Sequence, residues 1–184
     1  MSNVQTFPCH QLPNTYKWQI LSFMKVEWPF IFSGQYEFSE DTYPPEQDPI
    51  HFLISQGDAL ISHAEIVILK LVHAKKEYRV HGLGNVFTFP PYRGRGYGQE
   101  VVKAATTYIA KRDVDVAILF CEPGLKTFYE QAGWEGLPDA ITHIGTPEKS
   151  EIHEGLRMML FLSDKGTRGR SMFVEQPLYI DDPW

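Results

Sequence analysis

The chain has 184 residues and a formal net charge of −6, enough for one domain (1–184, with 163–184 as a C-terminal extension) that buries a sizeable core. The acidic balance argues against a nucleic-acid partner and permits, without requiring, a cationic substrate. Two cysteines, Cys9 and Cys121, give neither metal-ligand spacing nor a disulfide framework, and no apolar run reaches the length of a transmembrane helix. No metal and no membrane partner are expected. The polar N-terminus, with Pro8 and Pro13 early, does not read as a signal peptide, so a reducing, cytoplasmic location is expected.

Val4–Cys9 reads as a first strand. Pro13-Asn14 reads as a helix start with Asn14 as its cap. Trp18, Leu21, Met24 and Trp28 then recur at helical spacing until Pro29. From Phe30 to Pro49 aromatic residues mix with acids and prolines, as in a loop whose rings pack on the body or wall a pocket for an organic cation. His51–Ser55 and Ala59–Val72 read as strands joined at Gln56-Gly57-Asp58. A turn at Lys75-Lys76-Glu77 leads to a strand from Tyr78 to Phe89. Gly82 and Gly84 loosen that strand and mark a bulge or a close approach of a ligand.

Next comes Pro90-Pro91-Tyr92-Arg93-Gly94-Arg95-Gly96-Tyr97-Gly98, between a strand and an amphipathic helix with Tyr97, Val101, Ala104, Ala105, Tyr108 and Ile109 on one face. A strand end, a glycine-rich turn, free N–H groups at a helix start and two arginines suit a phosphate group. No Gly-Lys-Ser/Thr follows, so it is not a Walker loop. Val114–Phe120 is apolar almost throughout, as in a strand covered on both faces, and strand–helix–strand predicts a parallel pair. A second helix starts near Pro123, buries Leu125, Phe128, Tyr129 and Ala132, and stops at Gly133. Ile141–Ile144 reads as a short strand, Gly145–Glu154 as loop, Leu156–Leu162 as strand, and Ser171–Val174 as an edge strand.

Two stretches carry a family resemblance. Arg93, Gly96 and Gly98 match Arg/Gln-x-x-Gly-x-Gly/Ala between strand and helix, and Tyr129, Gly133 and Trp134 match Tyr-x-x-x-Gly-Phe/Trp. With the order of elements from about Val4 to Leu162, they resemble the GNAT N-acetyltransferase superfamily. The resemblance implies an α/β fold (α+β, three-layer) with a mixed sheet of about six to seven strands, antiparallel at its N-terminal side. It also implies acetyl-CoA as cosubstrate, lying in a gap beside the strand that precedes the loop.

On that resemblance, the backbone of Val86 and Thr88 pairs with the pantetheine arm, and Phe87 adds a carbonyl or N–H where the strand bulges. The N–H groups of Arg93, Gly94, Arg95, Gly96, Tyr97 and Gly98 hold the pyrophosphate. Tyr129, which periodicity alone reads as a core residue, takes the role of general acid in direct transfer of acetyl to a primary amine. Cys121 reads as a small buried hydrophobe.

Many members carry a glutamate base where this chain has Gly82 or Gly84. His81 is the adjacent titratable residue, although strand alternation sets it on the opposite face unless a bulge re-aims it. His63 and Glu65 on the preceding strand, a distant acid acting through water, or an amine that arrives neutral are the alternatives. The ending Tyr179-Ile180-Asp181-Asp182-Pro183-Trp184 is similar to aminoglycoside 2′-N-acetyltransferases, although the favoured reading is a solvated tail. The expected partner is a small-molecule amine; a homodimer is left open. The missing glutamate also suits a different class, a module that binds acyl-CoA without turnover.

Overall fold

The computed structural model describes residues 3–181. In chain order the elements are β1 (Gln5–Pro8), α1 (Asn14–Glu27), β2 (Ile50–Gln56), β3 (Ala59–His73), β4 (Lys76–Thr88), α2 (Tyr97–Ala110) and β5 (Val116–Cys121). They continue with α3 (Lys126–Glu130), β6 (Glu135–Leu137), β7 (Thr142–Thr146), β8 (Lys149–Ile152), β9 (Leu156–Phe161), α4 (Asp164–Glu175) and β10 (Leu178–Ile180). Among the described residues the strands form a seven-stranded sheet, β1-β2-β3-β4-β5-β9-β6, and a three-stranded sheet, β10-β7-β8. The first four strands are antiparallel neighbours, and β4 and β5 run parallel across the α2 crossover.

Strand alternation divides the core between the two faces of the large sheet. Phe52 and Ile54 on β2 pack with Val101, Val102, Ala105 and Ile109 of α2. Leu53, between them, packs with Ile20, Phe23 and Met24 of α1. In α1 the buried stripe is Ile20, Leu21, Phe23 and Met24, while the expected Trp18 is half exposed beneath the Lys17 ammonium. Asn14 is the first helical residue rather than the cap; Pro13 holds the cap position, without a side-chain hydrogen bond.

Two irregularities matter for the site. The β3–β4 turn is Ala74-Lys75, both at positive φ (49° and 62°), so β4 begins at Lys76, where the sequence suggests a turn. Further on, His63 pairs with Phe87 but Glu65 with Gly84. One extra residue in β4 is thus taken up at Asn85-Val86, and Asn85 sits at φ 48°, a conformation asparagine tolerates better than most residues.

The C-terminal part corrects two expectations and adds a strand the sequence did not signal. Gly145–Glu154 is not a loop throughout, because β7 and β8 pair there as a hairpin. The strand β6 has three residues, too short for a periodic signal. Ser171–Val174 is not an edge strand but the end of α4. That helix is capped by the Ser163 hydroxyl, which accepts the Gly166 N–H at 3.0 Å. It carries Gly166 and Gly169 because it lies hard on the sheet: a Cβ at these positions would stand 2.1 Å from the Asp115 carbonyl oxygen and 2.4 Å from the Tyr78 hydroxyl. The glycines that allow the close packing are the residues that hide the helix in the sequence.

Asp115 ties this region together. It is buried, accepts the Arg79 guanidinium and backbone N–H, both at 3.0 Å, and accepts the Ser163 hydroxyl at 2.8 Å. The Arg79 guanidinium above all, helped by the other donors and against the cost of burial, holds its carboxyl well below the usual aspartate range. A depressed folded-state pKa stabilises the fold fully above the unfolded value of about 3.8, and that contribution fades as the pH falls from there toward the folded value. Asp115→Asn is therefore expected to lower the urea midpoint at pH 7 and to lessen the loss of stability between about pH 4 and pH 2. Parallel decline of wild type and variant would contradict the assignment.

Candidate active site

The parallel pairing of β4 with β5 covers only Val80–Gly82 against Val116–Ile118. Beyond Gly82 the strands part. From Leu119 to Cys121, β5 pairs with β9 alone, and β4 runs on toward Thr88 held only by β3. A cleft of about 1100 Å³ opens between them. Its walls are the free edge of β4, the loop before α2, the start of α3 and the β8–β9 connection.

Which groups of β4 face the cleft follows from those that do not. The Asn85 carbonyl accepts from His63 Nδ1 at 2.9 Å and the Phe87 carbonyl from the Ser62 hydroxyl at 2.9 Å, while the Phe89 N–H donates to the Ile61 carbonyl at 2.9 Å. These groups all turn toward β3, so the alternate residues Val86 and Thr88 present their backbone to the open side. The Thr88 carbonyl there accepts the Arg93 Nε at 3.0 Å. Phe87 does not offer its carbonyl to the cleft, because Ser62 holds it, and its ring stacks on Phe23 with centroids 4.3 Å apart.

The loop carries Gly94 and Gly96 at φ 76° and 85°, where other residues are strained. Gly96 is the residue preceding α2. The N–H of Arg93 is spent on the Pro90 carbonyl at 3.2 Å. Those of Gly94 through Gln99 have no partner among the described residues, and they gather at the positive end of the α2 dipole. Gly98 allows close packing: a Cβ there would lie 3.3 Å from Thr88 Oγ1 and 3.4 Å from the Phe128 ring. Arg93 lines the cleft, whereas Arg95 turns over the Tyr92 ring, 5.8 Å from its centroid.

Across the cleft stands Tyr129, 6 % exposed. A short 3-10 turn, Pro123–Leu125, leads into α3, and Gly133 at φ 91° ends the segment. The Trp134 indole N–H donates to Thr106 of α2 at 2.9 Å and locks α3 in place. Burial first, and nearby Cys121 second, push the Tyr129 phenol well above its ordinary value, so it stays protonated. Its hydroxyl has no hydrogen-bond partner among the described residues. Cys121 lines the same cleft, and burial raises its thiol to about 11. It is not a ready nucleophile.

His81 is not brought to this cleft. It lies where β4 and β5 are still paired, and the bulge comes only after it, at Asn85. It borders a separate small cavity with Lys70, Arg79 and Asp113. Burial, with the Arg112 charge adding to it, lowers its pKa to about 4. His63 and Glu65 are buried behind the wall, each bonded to Asn85, which does line the cleft.

Sequence reading missed several lining residues. Glu27, Trp28 and Phe30 come from the end of α1 and beyond, Glu122 from the end of β5, and His153 and Glu154 from the β8–β9 connection. Only the mixed aromatic and acidic stretch after Pro29 hinted at such a wall. Phe38, in that stretch, is instead 84 % exposed. Asp182, Pro183 and Trp184 of the acidic tail lie outside the described residues.

Comparisons with known proteins agree with this geometry. Escherichia coli ElaA is 16% identical, covering 86% of this chain and 99% of its own, with a TM-score of 0.59. An aminoglycoside 6′-N-acetyltransferase complexed with coenzyme A is 11% identical, covering 88% and 97%, with a TM-score of 0.60. A conserved protein of unknown function and probable N-acyltransferase from Enterococcus faecalis V583 is 18% identical with a TM-score of 0.56. There the match covers 77% of this chain, which spans only 33% of that longer one. No curated protein matches the sequence. These likenesses establish the fold. A sequence profile of the Acetyltransferase (GNAT) domain matches residues 11–137, more than half of the chain, and with the splayed strands and glycine loop in place the chain belongs to the GNAT acetyltransferase family.

Proposed function

We propose that this protein transfers acetyl from acetyl-CoA directly to a primary amine of a small molecule, within a ternary complex. The observation that carries the proposal is the opposition across one cleft of a protonated Tyr129 phenol and the β4 edge at Val86 and Thr88, which β5 leaves unpaired. The pantetheine arm pairs with that backbone as an added strand would. The free N–H groups from Gly94 to Gly98 take the pyrophosphate, with Arg93 beside them. The Arg93 contact to the Thr88 carbonyl gives way as the arm enters.

The amine nitrogen attacks the thioester carbonyl and forms the N–C bond, the C–S bond breaks, the leaving sulfur takes the Tyr129 proton, and the proton shed by the new amide nitrogen restores the phenol. The raised thiol of Cys121 supports transfer without an acyl-enzyme. Two carboxylates on the lining, Glu122 and Glu154, favour an acceptor that is a cation, while a third, Glu27, faces Arg93 at 3.6 Å. A structural relative described with coenzyme A bound supports the choice of acyl donor. Initial rates measured while acetyl-CoA and amine are varied together are expected to give intersecting lines, and Cys121→Ala is expected to retain turnover. Parallel lines, or a dead Cys121→Ala that still folds, would contradict direct transfer.

A further inference from the structure

The cleft passes between two strands of the large sheet, so it has a mouth on each face, and the two mouths differ in chemistry. On β4, Val86 packs in the core under α2, whereas Phe87 packs with α1 on the opposite face. On β5, Leu119 and Cys121 belong to the α2 side, and Val116, Ile118 and Phe120 to the core of the opposite face. Tyr92 and Tyr97, which flank the glycine loop, also pack on the α2 side. That mouth is the one with the free N–H groups.

The end of α1 builds one wall of the other mouth. The Trp28 N–H closes the helix on the Met24 carbonyl at 2.8 Å, and Pro29–Ile31 forms a 3-10 turn. Trp28 and Phe32 pack against the core under α1, with the Trp28 ring 6.5 Å from that of Phe87. The residues between them, Phe30 and Ile31, are left outward, 74 % and 40 % exposed, and line the cleft with Trp28. Neighbouring apolar side chains left bare at a cleft rim mark a surface that an apolar group covers.

The facing wall comes from β5 and the β8–β9 connection. The His153 ring lies against Phe120, with centroids 4.9 Å apart. Its Nδ1 accepts the Gly155 N–H at 2.8 Å, so its hydrogen is on Nε2. Burial lowers the pKa of this ring, which keeps it uncharged at neutral pH. Glu122 continues β5 in an extended conformation, two residues beyond Phe120, and so points to the same side. Glu154 adjoins His153, and both carboxylates are exposed on the lining.

Little other polar capacity remains. Glu27 faces Arg93 at 3.6 Å. The Asn85 amide donates to Glu65 at 3.0 Å, and the Thr88 hydroxyl is 2.9 Å from that of Ser62. A polycation carries more charge than two carboxylates match. A hydroxyl-rich aminosugar would leave donors and acceptors unpaired against Trp28, Phe30 and Ile31.

We infer that the acceptor is a primary amine with an aryl or branched alkyl group close to its nitrogen, and that Phe30 and Ile31 select it. The apolar group covers these two side chains beside Trp28, and the ammonium lies toward Glu122 and Glu154. The inference rests on the acetyl-transfer reading and names its acceptor class. With the cosubstrate held on the α2 side, this mouth is the one left for the amine.

The test measures CoA release by wild type and Phe30→Ser with acetyl-CoA and each of phenylalaninamide, leucinamide, glycinamide, spermidine and tobramycin. The three amides differ only in their side chains. Wild type is expected to favour phenylalaninamide and leucinamide over glycinamide by roughly tenfold or more in kcat/KM, the scale of burying part of an apolar side chain. Spermidine and tobramycin are expected to fall below both. Phe30→Ser is expected to collapse the preference for phenylalaninamide over glycinamide, through KM rather than kcat, with acetyl-CoA affinity by calorimetry unchanged. Ile31→Ser is expected to act in the same direction and serves if Phe30→Ser does not fold. Equal kcat/KM for the three amides, a preference for spermidine or tobramycin, or an undiminished preference in both serine variants would overturn the inference alone. If wild type releases no CoA with any of the five amines, the transferase reading fails and the inference with it.

Discussion

Tyr129→Phe is expected to lower kcat by about 10²-fold or more, the scale of a lost general acid. The substitution is clean because of where the ring sits. Its burial and its edge-on contact with Phe128, at 4.9 Å between centroids, do not depend on the hydroxyl. The hydroxyl itself bonds nothing among the described residues, so its removal orphans no partner. Acetyl-CoA affinity and melting temperature should stay near those of wild type. The raised phenol also predicts that turnover shows no basic limb from this group up to its ordinary value of 10. Steady-state rates from pH 6 to pH 10 check both points. Near-normal turnover in Tyr129→Phe would remove the residue from the mechanism.

Gly98→Val is expected to weaken acetyl-CoA binding by at least about tenfold, or roughly 1.4 kcal/mol. Gly98 sits in the first turn of α2, with Thr88 Oγ1 and the Phe128 ring at 3.3 and 3.4 Å from a built Cβ. Alanine there asks the neighbours to give by tenths of an ångström. The branched valine asks the helix start to move away from both walls of the cleft, carrying its free N–H groups with it. Gly96→Ala tests the same loop by another route. Nothing crowds its Cβ, but φ of 85° costs a non-glycine residue about 1–2 kcal/mol. Calorimetric titration with acetyl-CoA is the measurement, with melting temperature as the folding control. Unchanged affinity in Gly98→Val would remove the loop from the binding site.

Much of the fold was legible because its signals are local. Turn residues bracket the antiparallel strands, α2 shows a 3.6-residue stripe, and Gly133 marks a helix stop. The parallel β4–β5 pair followed from strand, helix and strand in sequence. What stayed hidden depends on contacts between distant residues. Glycines in α4 look like helix breakers until Asp115 and Tyr78 are seen beneath them. The cleft beyond Gly82 exists because β5 turns to β9, a partner about forty residues on, as the register from Val116–Phe161 to Cys121–Leu156 records. His51, His63 and Glu65 come together only where β2 and β3 pair, so His51 carried no signal, and His63 and Glu65 appeared only as lesser alternatives to His81. His81, adjacent in sequence to the expected base position, fails by alternation. The spacing of two residues in a strand decides its face more firmly than proximity does.

The central claim is tested most directly by free CoA release from acetyl-CoA by wild type, across a panel of polyamines, aminoglycosides and amino-acid amines. At least one cationic amine is expected to accelerate release and to emerge acetylated, with the rate saturating in both substrates. Tight acetyl-CoA binding with no acceleration by any amine would contradict the account and leave a module that binds the cofactor without turning it over.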